Sequence, residues 1–182
     1  MRRGAAMDLT EATTMLARTP TVLDALLADA PPDWVHRDDG PGTWSAYDIV
    51  GHLLEGEAHN WLPRARMILE HGAEQTFAPF DREAMLGRER EPVGALLARF
   101  ASARQSSLVA LAAYGLTAAD LDRRGRHPEF GEVTLGQVLA TWVAHDLTHL
   151  AQIGEVLART YRDAVGPYRA YLPALDRVAE AE

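Results

Sequence analysis

Two histidines, His145 and His149, stand four residues apart in the apolar stretch TWVAHDLTHLAQIGEVL. An i, i+4 pair lies on one helix face, one turn apart. Two imidazoles so placed can converge on one metal ion, or they can be two hydrogen-bonded core residues. A third, His52, falls on the inward side of another helical stretch, GTWSAYDIVGHLLEGE. Each buried imidazole needs a polar partner, and one shared ion would serve all three. Neutral imidazole suits borderline divalent metals such as zinc and nickel. Three protein ligands leave a coordination position open for water or substrate. His59 is a weaker fourth candidate, because it lies two turns from His52, roughly 10 Å along the axis. His36, His71 and His127 fall in expected loops and read as ordinary surface residues.

Two rival metal motifs fit poorly. HDLTH departs from H-E-x-x-H by Asp146 in place of Glu, which would hold a general base differently. Di-iron bundles use inward Glu and E-x-x-H pairs, whereas Glu55 and Glu57 precede His59 without that spacing. Glu55, one turn beyond His52, is the nearest candidate base for a hydrolytic reaction. Two further charges fall on apolar stripes, Arg104 between Phe100 and Leu108, and Asp146 beside His145. A buried unpaired charge is costly. Arg104 is therefore expected to reach Asp146, to receive an anionic substrate group, or to extend along the bundle to solvent. Asp146 has a second reading, as a hydrogen-bond acceptor that locks the helices together. Trp44, Trp61 and Trp142 either wall a pocket or are core aromatics.

Composition narrows the chemistry. Cysteine is absent, which excludes disulfides, thiolate ligands and a cysteine nucleophile. If the reaction involves sulfur, a small-molecule thiol must supply it. All 18 basic residues are arginine, so Schiff-base chemistry is excluded as well. The net charge of -8 argues against non-specific nucleic-acid binding. The start MRRGAAMDLTEATT lacks the apolar segment of a signal peptide, and no apolar run reaches membrane-spanning length, so a cytoplasmic protein is expected.

Four segments with helical periodicity must position these residues. The first covers about residues 8–29, with a kink or break expected at Pro20 and an end at Pro31-Pro32. The second starts at Ser45, where Ser45 and Asp48 form a relaxed capping box, and ends at His71-Gly72 with a kink expected at Pro63. Its inward face reads Ile49, His52, Leu53, Gly56, Asn60, Pro63 and Met67. The third runs from Pro92 to the C-terminal stop at Gly115. The fourth starts at Thr134, with Gln137 completing a capping box, and continues to about Thr160. DRRGRHPEFGE reads as a loop, and a short terminal helix is expected from Tyr168 to Glu180. No strand alternation, repeat or second domain is evident, so residues 1–182 read as one all-α, four-helix-bundle domain.

Three stretches carry a resemblance: LARTPTVLDALLADAPPDW, GTWSAYDIVGHLLEGE and LDRRGRHPEFGEVTLGQVLATWVAHDLTHLAQI. The chain resembles the DinB-like superfamily of bacterial four-helix proteins over most of its length. The last two blocks are the specific ones. One has a His after a Trp-Ser helix start, and the other has the H-x-x-x-H pair. The resemblance implies an up-down-down-up helix order. It also implies a divalent metal, often zinc or nickel, on His52, His145 and His149, and a homodimer. Characterised relatives include enzymes that use mycothiol, bacillithiol or glutathione. The expected activity is thus metal-dependent transfer of a small thiol to an electrophilic substrate. Metal-dependent hydrolysis and non-catalytic metal or small-ligand binding are the alternatives. Asp146, Arg104, His59 and Trp44 are candidate substrate-binding or supporting residues. Aromatic residues near the C-terminus, Tyr161, Tyr168 and Tyr171, add a weak hint of a dimer surface.

Overall fold

The structure, a computed structural model, describes residues 7–176. The first helical segment is two helices, α1 (Leu9–Leu16) and α2 (Thr19–Leu27). Asp8 caps α1 by accepting from the amides of Thr10 and Glu11 at 2.7 and 3.0 Å, an interaction typically worth about 1 kcal/mol. The break falls at residues 17–18, so that Pro20 sits in the first turn of α2, where its missing N–H is not needed. A short helix, α3 (Pro32–His36), follows the double proline.

The second segment also divides, into α4 (Ala46–His59) and α5 (Trp61–His71). The expected kink at Pro63 is found three residues earlier, at Asn60, whose φ and ψ are -114° and -68°. Pro63 cannot donate to the carbonyl of His59, and its ring crowds that carbonyl. The preceding turn absorbs the conflict, and Pro63 is left in the first turn of α5. α6 (Val93–Ala113) stops at Gly115, which takes a φ of +59°. α7 (Leu135–Ala158) is the longest helix among the described residues. The capping boxes close at both Ser45/Asp48 and Thr134/Gln137.

The stretch expected to be a loop contains a β-hairpin instead. Strands β1 (Arg124–His127) and β2 (Gly131–Thr134) pair antiparallel, from Arg124 opposite Thr134 to His127 opposite Gly131. Four residues per strand are too few to show alternation, which is why the sequence reading missed them. Gly131, at a φ of +71°, supports the three-residue turn. Gly125 lets β1 lie on the bundle. A Cβ there would stand 2.5 Å from Ile68 and 2.7 Å from Phe77. At the C-terminal end, the short helix is two 3₁₀ segments, Gly166–Tyr171 and Pro173–Asp176. The rest of the expected 168–180 range lies outside the described residues.

Two apolar clusters fill the bundle. One joins Leu16 of α1, Ala65 and Ile68 of α5, Leu111 of α6, and Leu135 and Trp142 of α7. The other joins Leu23 and Leu27 of α2, Ile49 and Leu53 of α4, Leu97 and Phe100 of α6, and Ile153 of α7. The first and fourth segments therefore run from the first cluster to the second. The second and third segments both run the other way. This is the up-down-down-up order, and the long 72–92 connector makes the required crossover.

A buried polar layer lies between the clusters. Arg104 bonds Asp146 at 2.6 and 3.1 Å and Glu57 at 3.0 and 2.7 Å. Thr19 donates to Asp146 at 2.6 Å, and the Trp142 indole donates to Glu57 at 3.1 Å. Arg104 also donates to the Leu16 carbonyl at 2.7 Å. In a continuous helix that carbonyl would bond the amide of residue 20, and Pro20 has none. The break in the first segment thus supplies an acceptor that the buried guanidinium uses.

Candidate metal centre

α4 is the most enclosed helix, with every residue from Ala46 to Glu57 buried except Leu54. It presents His52 to α7, which presents His145 and His149 from successive turns. The three ligand-capable nitrogens lie within 4.8 Å of one another. His145 Nε2 is 3.0 Å from His52 Nε2 and 3.2 Å from His149 Nε2. Nitrogens about 2.0–2.1 Å from one ion stand roughly 3 Å apart, so this spacing fits a common ion.

The outer nitrogens of His52 and His149 support the same reading, whereas that of His145 has no partner among the described residues. His52 Nδ1 is 2.9 Å from the Arg82 carbonyl, which only accepts, so this nitrogen carries the proton and Nε2 presents a lone pair. His149 Nδ1 is 2.7 Å from Gln152 Oε1 and is oriented in the same way. At most one proton, on His145 Nε2, remains between two lone pairs. A cation satisfies all three nitrogens where a proton cannot. Burial and the neighbouring charge of His149 lower the His52 pKa to about 4. Burial, then His149, His52 and Arg104, lower that of His145 to about 2. Both are therefore neutral at physiological pH, as metal ligation requires.

Aromatic rings surround the triad. Trp44 lies 4.8 Å from the His52 ring and 6.2 Å from that of His149. Phe80 meets His52 edge-on at 5.6 Å, and Trp61 meets His145 at 5.0 Å. Such a shell limits water and strengthens electrostatic interactions at the centre.

His52 and His145 open onto a cavity of about 520 Å³ whose wall includes Asn60, Arg64, Arg82 and Glu129. The hairpin turn, with His127, Pro128 and Phe130, forms its outer side. His127 is thus not an isolated surface residue as expected. It stacks on Phe130 at 4.6 Å in the cavity wall. Arg64, Arg82 and Glu129 were not anticipated, because they reach the cavity from a helix break, a connector and a hairpin turn. Asn60 was expected to face inward, although no role was assigned to it.

The other candidates lie elsewhere. Glu55 is buried against Arg88, with His59 3.6 Å away, and lines a different pocket with Met85. It is not part of the cavity wall, so it is not placed to act as a base there. His59 is exposed and takes no part in the cluster. Arg104 and Asp146 meet in the polar layer. Arg104 neither lines the cavity nor reaches solvent.

The sequence profile of the DinB superfamily matches residues 15–153, a span that holds all three histidines. The chain belongs to the DinB superfamily. Its fold is similar to that of YfiT from Bacillus subtilis, with a TM-score of 0.72 at 20% identity over 88% of this chain and 93% of that one. YfiT is described as a probable metal-dependent hydrolase with an unusual four-helix bundle topology. No curated protein matches this DinB-superfamily chain in sequence. No helix of the described residues is long and apolar enough to cross a membrane.

Proposed function

We propose that this protein is a metal-dependent enzyme that transfers a small thiol, of the bacillithiol or mycothiol type, to an electrophile. The convergence of three Nε2 atoms, with His52 and His145 lining a cavity, carries the reading. His52, His145 and His149 would hold the ion, with zinc or nickel best suited to three imidazoles. A divalent ion there would supply Lewis acidity, lowering the pKa of a sulfur or oxygen donor so that its anion is available near neutral pH.

The chain's own groups favour sulfur. A free thiol has a pKa of about 8.5, so a shift of under about two units makes it a thiolate at neutrality. Water starts at about 15.7 and gains more from a positioned base. The expected base, Glu55, is engaged by Arg88 outside the cavity. The protein has no cysteine of its own, so a thiol must come from solution. The residues' task is then to orient the thiol, exclude water with the aromatic shell, and admit the electrophile past the hairpin. The thiolate forms the new S–C bond as the electrophile's leaving group departs.

Hydrolysis is the second reading, supported by the Glu129 carboxylate on the cavity wall. Assays of metal-loaded protein with bacillithiol or mycothiol and 1-chloro-2,4-dinitrobenzene, beside ester and amide hydrolysis, separate the two. Metal-dependent conjugation supports thiol transfer. Hydrolysis alone selects the second reading, and ligand binding without turnover refutes both.

A further inference from the structure

Two polar side chains of the cavity wall lack partners that their surroundings should supply. Asn60 is 5% exposed, and its buried Oδ1 accepts no hydrogen bond among the described residues. Arg64 is half-buried and lies over the Phe77 ring at 5.4 Å, and its guanidinium has no hydrogen bond or ion pair among the described residues. A buried amide oxygen and a partly desolvated guanidinium are both costly to leave unmatched. Burial lowers the Arg64 pKa, with Glu129 opposing and Arg82 adding to the effect.

The two residues belong together. They are an i, i+4 pair, and the Arg64 amide donates to the Asn60 carbonyl at 3.2 Å. Side chains so spaced are neighbours on one helix face. The break at Asn60 begins that face, and both side chains line the cavity that His52 and His145 enter. Two guanidinium groups, Arg64 and Arg82, stand in the wall against one carboxylate, Glu129, so the wall favours an anion.

We infer that Asn60 and Arg64 form a subsite for the carboxylate arm of a small substrate. Arg64 receives the carboxylate through its planar fork. Asn60, one turn before it on the same wall, borders the bound carboxylate. The inference rests on reading the cavity as the substrate site. It adds that at least one of the two substrates is anionic, and it names the residues that select it.

Succinate, mercaptosuccinate and 2-mercaptoethanol are suitable probes, titrated calorimetrically into the protein as purified with its metal content measured. Arg64→Gln should weaken succinate and mercaptosuccinate about tenfold or more, the usual effect of losing a charge-assisted hydrogen bond, and leave 2-mercaptoethanol unchanged. Asn60→Asp should weaken the same two by like-charge repulsion. Arg66→Gln removes an equal charge from the exposed Arg66–Glu70 pair and should change nothing. Circular dichroism and melting curves check that the variants fold. Equal loss in Arg66→Gln, or no loss in Arg64→Gln, overturns the subsite. Binding that survives Arg64→Gln but vanishes in His145→Ala assigns the carboxylate to the ion, which refutes the subsite and leaves the metal centre standing. Arg64-dependent succinate binding without any thiol transfer keeps the subsite and removes the thiol reading. Where turnover is found, succinate competing with the thiol places the carboxylate on the thiol, and competition with the electrophile places it there. Either result supports the subsite.

Discussion

Arg104→Met is expected to be among the most destabilising single substitutions in this protein. The guanidinium is 1% exposed and, among the described residues, is the only cation bonded to the Glu57 and Asp146 carboxylates. Without it, among the described residues, Asp146 keeps only the Thr19 hydroxyl and Glu57 only the Trp142 indole. Two buried carboxylates then face each other with no cation between them, and breaking such an arrangement costs about 3–5 kcal/mol. Asp146→Asn leaves Arg104 paired with Glu57, so its cost is that of weakened charge-assisted bonds, about 1.5–3 kcal/mol. Glu57→Gln belongs in the same range, because among the described residues Oε1 accepts all three bonds and Oε2 has no partner. Added together, the three substitutions would cost at least about 6 kcal/mol. The triple variant Arg104→Met/Glu57→Gln/Asp146→Asn contains no buried charge, so it should lie at least about 2 kcal/mol above that sum in stability. Urea unfolding at fixed metal content measures all four variants. An Arg104→Met cost below about 1 kcal/mol, or strict additivity in the triple variant, would refute the reasoning.

Elemental analysis of protein purified without added metal is expected to find one divalent ion per chain, and full metal content in His145→Ala or His149→Ala would sink the triad. In metal-free protein the unfolded chain binds protons on His52 and His145 near pH 6.5, whereas the folded chain holds these groups at about 4 and about 2. Their contribution to stability is complete above pH 6.5 and falls on acidification by about 1.4 kcal/mol per pH unit for each group. A flat unfolding free energy from pH 7 to 4.5 contradicts this. Gly125→Ala should cost about 1–3 kcal/mol, since its Cβ would overlap Ile68 and Phe77, and an unchanged melting temperature would show that the hairpin does not seat there. Tyr161, Tyr168 and Tyr171 are 51%, 69% and 81% exposed. Pairing of two chains through this region would cover them, and light scattering is expected to give twice 20.0 kDa, with a monomer excluding the pair.

The meeting of the three histidines was legible because helical periodicity encodes it. His145 and His149 share a face by their spacing, and His52 falls on the inward stripe of α4 whichever way the segment ends. The Arg104–Asp146 contact had the same basis, since two charges on facing apolar stripes need each other. Glu57 was not read as a member of that layer. Its helix is enclosed on nearly every side, so residues off the inward stripe that the sequence suggested are buried there as well.

The cavity wall was harder to read, for a reason located at one peptide. Pro63 marks a missing hydrogen bond to the His59 carbonyl, so a disturbance between residues 59 and 63 was foreseeable. Which residue absorbs it depends on packing, because each turn between them could adopt the altered φ and ψ. The structure places it at Asn60. That single choice sets the direction of α5, and with it whether Arg64 points along the old stripe or into the space beside His145. The hairpin closes the same space through residues that show no periodicity, held down where Gly125 allows close approach. The three clustered histidines are thus fixed by regular helix geometry, whereas the groups that would select a substrate sit where that geometry is interrupted. Substitutions that move the break should therefore alter substrate preference before they alter metal affinity.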